Sequence, residues 1–192
     1  MELENIFFDI SKLKKCGKNV IIGKTVRIRK PELVSLGDNV IIDDFTYIPC
    51  ELEVGSYTHI GCNNSFIGGS GKIKIGSFVN IAPGCQIVTG SNNYYKDGLV
   101  GPCIPKEYSG NADIKEVIIE DYVLIGCQTV ILEGSIISEG VSIGAMSLVK
   151  EKNDLEKWSL YVGNPLKKIG KRQGRVMKKK GTLLLEEKHG IY

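Results

Sequence analysis

Aliphatic residues recur at every sixth position along much of this 192-residue chain, a spacing that few folds tolerate. One ladder runs Leu36, Ile42, Ile48, Val54, Ile60, Phe66. A second runs Ile75, Ile81, Ile87, and a third Ile119, Ile125, Ile131, Ile137, Ile143, Val149; Ile22 and Ile28 precede them all. Glycine often follows the ladder residue, as at Gly23, Gly37, Gly61, Gly126 and Gly144. A small or β-branched residue often stands four places on, as at Val40, Thr58, Cys85, Thr129 and Ser147. A period of six fits neither an α-helix nor a plain hairpin. It fits a short strand plus a turn, in which alternation sends the ladder residue inward and its neighbours outward. Three such units close one triangular coil, and stacked coils bury a continuous apolar column. The competing architecture is an antiparallel barrel, whose strands recur at longer spacing. The expected fold is therefore all-β, a parallel β-helix.

The ladder breaks in three places. Two extra residues around Pro31 separate Ile28 from Leu36, and three extra, with Gly68-Gly69-Ser70-Gly71, separate Phe66 from Ile75. Both are expected to be small outward bulges at a corner. The third break is long: from 88 to 116 the sequence is polar, with Pro102, Pro105 and several glycines. A long loop that starts and ends inside a rigid stack is expected to be functional. The ladder is taken to stop after Val149. Three parts follow: a lead-in over 1–19, the β-helix over 20–152, and an extension over 153–192. In the extension, Asn153–Trp158 and Leu183–Glu187 are candidate helical stretches, and Lys178-Lys179-Lys180 is expected to be a solvated run.

Residues 17–170 resemble the hexapeptide-repeat acyltransferases, and within them the galactoside and maltose acetyltransferases and the sugar acetyltransferases of surface-polysaccharide synthesis. The resemblance is carried by Lys74-Ile75-Gly76-Ser77-Phe78-Val79-Asn80-Ile81-Ala82-Pro83-Gly84, the loop after Thr89-Gly90, and Val123-Leu124-Ile125-Gly126. It continues through Gly140–Val149 and Gly163-Asn164-Pro165. It implies a left-handed coil, acetyl-CoA as co-substrate, and a homotrimer with sites between subunits. It also places the pantetheine arm near Cys127 and Ala145, which both follow Ile-Gly one coil apart. Lys150, Lys167, Lys168 and Arg172 are then candidates for the coenzyme phosphates, since cations suit phosphate.

The acceptor side departs from the family pattern. The resembled enzymes use a histidine just after the loop's Thr-Gly; here Ser91 stands there, followed by Asn92, and neither side chain is a base at neutral pH. His59 precedes the ladder residue Ile60, so it should point outward, with Asn80 stacked on the same outer face one coil later. His59 is the candidate base, because imidazole titrates near neutrality. Asn64 matches, by resemblance, an asparagine that contacts substrate; it serves equally well as a corner residue satisfying backbone groups. Asn80, Ser91, Asn92 and Tyr94 are candidates for holding the sugar, and Tyr94 and Tyr95 could equally anchor the loop.

Without the loop histidine the chemistry leans towards an amine acceptor, which attacks a thioester without full base assistance. The expectation is acetyl transfer to the amino group of an amino sugar, nucleotide-linked. O-acetylation of a hydroxyl and a non-catalytic β-helix scaffold stay open. Two histidines and no CxxC pair exclude a zinc centre, and a formal charge of +3 gives no footprint for nucleic acid. No apolar stretch is long enough to span a membrane, and the N-terminus lacks signal-peptide features, so a cytoplasmic protein with reduced cysteines is expected.

Overall fold

A computed structural model describes residues 9–68, 70–92 and 98–187. They form a left-handed parallel β-helix of about seven coils with one C-terminal helix. Three parallel sheets make the faces of a triangular prism. The first face stacks Lys15–Cys16, Val34–Leu36, Glu51–Val54, Lys72–Ile75, Val117–Ile119 and Ile136–Ile137. The second stacks Ile21–Ile22, Ile41–Ile42, His59–Ile60, Asn80–Ile81, Leu124–Ile125, Ser142–Ile143 and Ser159–Val162. The third stacks Arg27–Ile28, Tyr47–Ile48, Ser65–Ile67, Gln86–Val88, Val130–Ile131 and Leu148–Val149. Every ladder residue from Leu36 to Val149 is buried, in strict register with its neighbours above and below.

The ladder extends further at both ends than the sequence suggests. Cys16 pairs with Leu36 one rung before Ile22. Past Val149, Leu155 and Tyr161 keep the six-residue spacing and are buried in the same column. The β-helix therefore continues to Ser159–Val162, beyond the boundary at 152, and the stretch from Asn153 to Trp158 contains no helix. Its charged residues conceal one core residue, Leu155. The helix of the extension begins earlier than expected and runs Gly174–Glu187.

The corners between faces differ. All three interruptions leave from the corner between the third and first faces, hereafter the loop corner. Around Pro31 the insertion forms a 3-10 turn, Pro31–Leu33, while the long insertion begins and ends as an antiparallel hairpin, Gly90–Asn92 with Ala112–Ile114. The other two corners turn tightly. In most coils one residue at each adopts positive φ, among them Asn39, Tyr57, Phe78 and Tyr122 between the first and second faces, and Phe45, Asn63, Gln128 and Met146 between the second and third. A non-glycine residue there costs roughly 1–2 kcal/mol. Cross-coil hydrogen bonds offset this cost: Asp38 N–H donates to Ser56 Oγ, Ser56 N–H to Ser77 Oγ, and Ser77 N–H to Asp121 Oδ1.

Between the first and second faces the turn residues form an aromatic rib. Tyr57 and Phe78 stack at 5.4 Å, Phe78 and Tyr122 at 5.0 Å, and Trp158 lies tilted on Tyr122 at 5.7 Å. Gly140 intervenes with φ +69°, and a Cβ there would collide with the Trp158 ring. The C-terminal helix lies over this rib. Gly174 approaches Trp158 and Gly181 approaches the Tyr122 hydroxyl so closely that neither has room for a Cβ. Lys178, expected in a solvated run, reaches Glu139 at 2.6 Å and sits 5.6 Å over the Trp158 ring. No helix among the described residues is long and apolar enough to cross a membrane.

Candidate active site

The corner between the second and third faces is neither covered by the helix nor broken by an insertion. Ile60 buries its side chain, so the preceding His59 faces outward on the second face. Asn80 pairs with His59 in the coil above and is exposed, as the repeat predicts. Sequence reasoning missed the partner of the histidine. Asp43 Oδ2 lies 2.8 Å from His59 Nε2, with both side chains a little over two-fifths exposed. Asp43 follows Ile42, where glycine follows Ile22 and Ile60. That unusual residue, one coil below and diagonal to the histidine, was the available signal. A carboxylate only accepts, so His59 donates through Nε2–H, and in the neutral tautomer that does so the lone pair lies on Nδ1.

Cys127 and Ala145 lie on the same corner, both exposed and one coil apart. Met146 N–H donates to Cys127 O at 2.9 Å. A Cβ on Gly126 would stand 2.5 Å from Ala145 N, so the coils are in backbone contact, and the small pairs Gly126–Cys127 and Gly144–Ala145 stack beside the exposed Gln128 and Met146. The result is a shallow track along which a thin linear ligand can lie. Gly163 closes it above, donating its N–H to Ser147 Oγ at 2.9 Å. His59 belongs to the third coil and Cys127 to the fifth. At about 4.8 Å per coil the two lie about 10 Å apart along the axis.

The other expected site residues are dispersed. Asn64 is 1% exposed; its amide donates to Gly61 O at 2.7 Å and accepts from Cys85 N–H at 2.7 Å. These bonds serve the structural of its two expected roles: Asn64 satisfies the buried Cys85 N–H and shares the Gly61 carbonyl with the Thr46 hydroxyl. Ser91 and Asn92 lie on the loop hairpin, across the third face from His59, and Ser91 Oγ donates to Glu133 Oε1 at 2.9 Å. They do not meet His59 within one chain. Tyr94, Tyr95 and the tail histidine His189 lie outside the described residues.

The expected phosphate cluster also comes apart. Residues 150–172 turn round a full coil and then reverse, which spreads the cations over different sides. Lys150 is exposed at the loop corner, its N–H bonded to Asn153 Oδ1. Arg172 is turned to the aromatic corner, donating to Tyr122 O at 3.0 Å and Gly140 O at 2.7 Å, and burial lowers its pKa. It staples the helix to the coil. Lys167 and Lys168 stay together on the strand Lys167–Lys171, which pairs antiparallel with Ser159–Val162. Lys168 is engaged by Glu156 at 2.5 Å, and Lys167, opposite Val162, is exposed next to the Gly163 turn.

No family model matches the sequence. A curated relative does: the dTDP-4-amino-4,6-dideoxy-D-glucose acyltransferase of Escherichia coli is 35% identical over 168 residues, 85% of each chain. Among solved structures, AntD, an N-acyltransferase from Bacillus cereus in complex with dTDP and 3-hydroxybutyryl-CoA, superposes with a TM-score of 0.85. It is 33% identical, over 97% of this chain and 100% of AntD. A maltose O-acetyltransferase from Clostridium difficile is more distant, 25% identical with a TM-score of 0.56, over 85% of this chain and 72% of its own. These likenesses set the scaffold alternative aside. The chain belongs to the hexapeptide-repeat sugar N-acyltransferases and is an acyl-CoA-dependent acyltransferase.

Proposed function

We propose that this enzyme transfers an acyl group, acetyl being the expected one, from its coenzyme A thioester to the amino group of a dTDP-linked amino-deoxy sugar. The observation that carries this reading is the His59–Asp43 pair, outward-facing and 2.8 Å apart, on the open corner that also presents Cys127 and Ala145. The pantetheine arm lies along the track past Ala145 and Cys127, bringing the thioester towards His59. Lys167 is the cation best placed for the coenzyme's phosphates. The sugar amine attacks the thioester carbonyl, a C–N bond forms, and the tetrahedral intermediate expels coenzyme A as thiolate. His59 accepts the proton that the amine loses, on Nδ1. Asp43 holds the ring in the tautomer that leaves Nδ1 able to do so and stabilises the imidazolium.

The same pair would serve a hydroxyl acceptor. The amine is favoured because AntD, matched over its whole length, is an N-acyltransferase, whereas likeness to the O-acetyltransferase is much weaker. Asn80, directly above His59, is the nearest candidate for holding the sugar. Ser91 and Asn92 reach an acceptor only across a subunit boundary. This supports a homotrimer in which the loop of one subunit covers the site of the next. The cytoplasm, which supplies acyl-CoA, fits six cysteines that form no disulfide, and surface-glycan synthesis is the fitting use of the product.

Thiol release tests the reading, with acetyl-CoA and 3-hydroxybutyryl-CoA as donors. The acceptors are dTDP-4-amino-4,6-dideoxyglucose on one side and neutral sugars on the other. Turnover is expected with the amine. Turnover with hydroxyl acceptors alone would overturn it.

A further inference from the structure

Phe45 occupies its position against every local preference. At the open corner the same left-handed turn is taken by Asn63, Gly84, Gln128 and Met146, and asparagine and glycine suit it best. Phe45 has φ +61° and is 65% exposed, so its ring gains little from burial. The aromatics of the covered corner stack on one another, whereas Phe45 makes no ring contact among the described residues. The turn is nevertheless held firmly. Phe45 N–H donates to Thr25 Oγ1 at 2.9 Å, while the Thr25 N–H and hydroxyl both donate to Asp44 Oδ1 at 2.8 Å. A rigid turn presenting a bare ring in a disfavoured conformation points to a function for the ring.

Next to it, on the third face, Arg27 pairs in register with Tyr47, and Arg29 Nη1 lies 3.4 Å from the Tyr47 hydroxyl. Both arginines are exposed, and neither enters an ion pair among the described residues. Elsewhere on the coil, Lys72, Lys74, Lys115, Lys157 and Lys168 are each matched to a glutamate. Of the two carboxylates on the turn, Asp44 is occupied by Thr25 and Asp43 by His59. Asp43 of the His59 pair stands two residues before Phe45 on the same turn.

We propose that Phe45, Arg27 and Arg29 form the nucleoside diphosphate subsite of this enzyme. The pyrimidine base stacks on the Phe45 ring, and the two guanidinium groups bind the diphosphate, whose oxygens match their planar geometry. A nucleotide folded over the corner leaves its sugar beside His59 and Asp43. The nucleotide then enters from the N-terminal coils and the coenzyme from the C-terminal ones, with the amine and thioester meeting between them. This assignment rests on the sugar-nucleotide reading above.

The test is calorimetric titration of the full-length enzyme with dTDP, and separately with coenzyme A, at several salt concentrations. The proteins are wild type, Phe45→Asn, and the double variant Arg27→Ala/Arg29→Ala. Asparagine suits the turn, so the first variant should melt no lower than wild type. Its dTDP affinity is expected to fall about tenfold or more. The double variant is expected to lose a similar factor together with most of the salt dependence. Coenzyme A affinity should stay within twofold in both. Wild type that binds coenzyme A but not dTDP would defeat the sugar-nucleotide reading itself. Wild type that binds dTDP, with both variants within twofold of it, would overturn the subsite alone. Light scattering on the same samples covers the rival role of Phe45 as a subunit contact. If Phe45→Asn changes both assembly and affinity, the double variant decides: weaker dTDP binding with assembly intact keeps the subsite, and unchanged binding overturns it.

Discussion

Two corners of this coil share one backbone conformation and have opposite fates. Tyr57, Phe78, Tyr122 and Trp158 stack into a rib that the C-terminal helix covers. Phe45, Asn63, Gln128 and Met146 adopt the same positive φ and are left bare. At the first corner the side chains recover the cost of the turn from one another. At the second they project into solvent with no such recovery, and the small Gly126, Cys127, Gly144 and Ala145 form a low strip beside them, on the corner that also carries His59 and Asp43. A repeat specifies the scaffold identically all the way round, so the site is found where the repeat is left uncovered.

The hardest way to break the covered corner is through Gly140. A β-branched side chain there meets both the φ of +69° and the Trp158 ring. Gly140→Val is expected to cost about 3–4 kcal/mol in urea unfolding, from turn strain plus overpacking. On the open corner, His59→Ala is expected to lower kcat/KM about 100-fold with the melting temperature unchanged, the low end for a general base because an amine retains some reactivity unaided. The residual activity should rise with pH as more of the sugar amine is deprotonated. Asp43→Asn retains a hydrogen-bonding partner but loses the charge, and about a tenfold loss in kcat/KM is expected. One substitution made at both corners separates them. Tyr122→Asn removes stacking on two neighbours and should cost about 2 kcal/mol or more. Met146→Asn, at the same kind of turn but exposed, should change stability by no more than about 0.5 kcal/mol. Equal costs at the two positions would remove the distinction between the corners.

Much of this was legible in the sequence. The rungs from Leu36 to Val149 announce the coil because burial demands an aliphatic residue at each inward position. The stacking of Asn80 on His59 follows from the same period. Leu155 and Tyr161 kept the period too, but the charged residues around them masked it. Pairings between coils were harder to see. Asp43 and His59 are 16 residues apart, and only a coil of known pitch makes them neighbours. The tail cations were misjudged for the opposite reason. They are close in sequence, yet Lys150, Lys168 and Arg172 end on different sides of the prism, bonded to Asn153, Glu156 and the carbonyls of Tyr122 and Gly140. Asn64 could not be assigned from sequence because a corner asparagine and a substrate-binding one occupy the same rung position.

The claim at the centre is that the bare corner carries the coenzyme, and Cys127 reports on it directly. Its thiol is exposed on the track, whereas burial pushes the Cys50 thiol up to about 11 and leaves it unreactive. The measurement is the rate of Cys127 alkylation by iodoacetamide, read by mass spectrometry with and without saturating coenzyme A. Coenzyme A is expected to slow labelling of Cys127 at least about tenfold, as for a thiol covered by ligand. An unchanged Cys127 rate under coenzyme A concentrations that calorimetry shows to be saturating would contradict it.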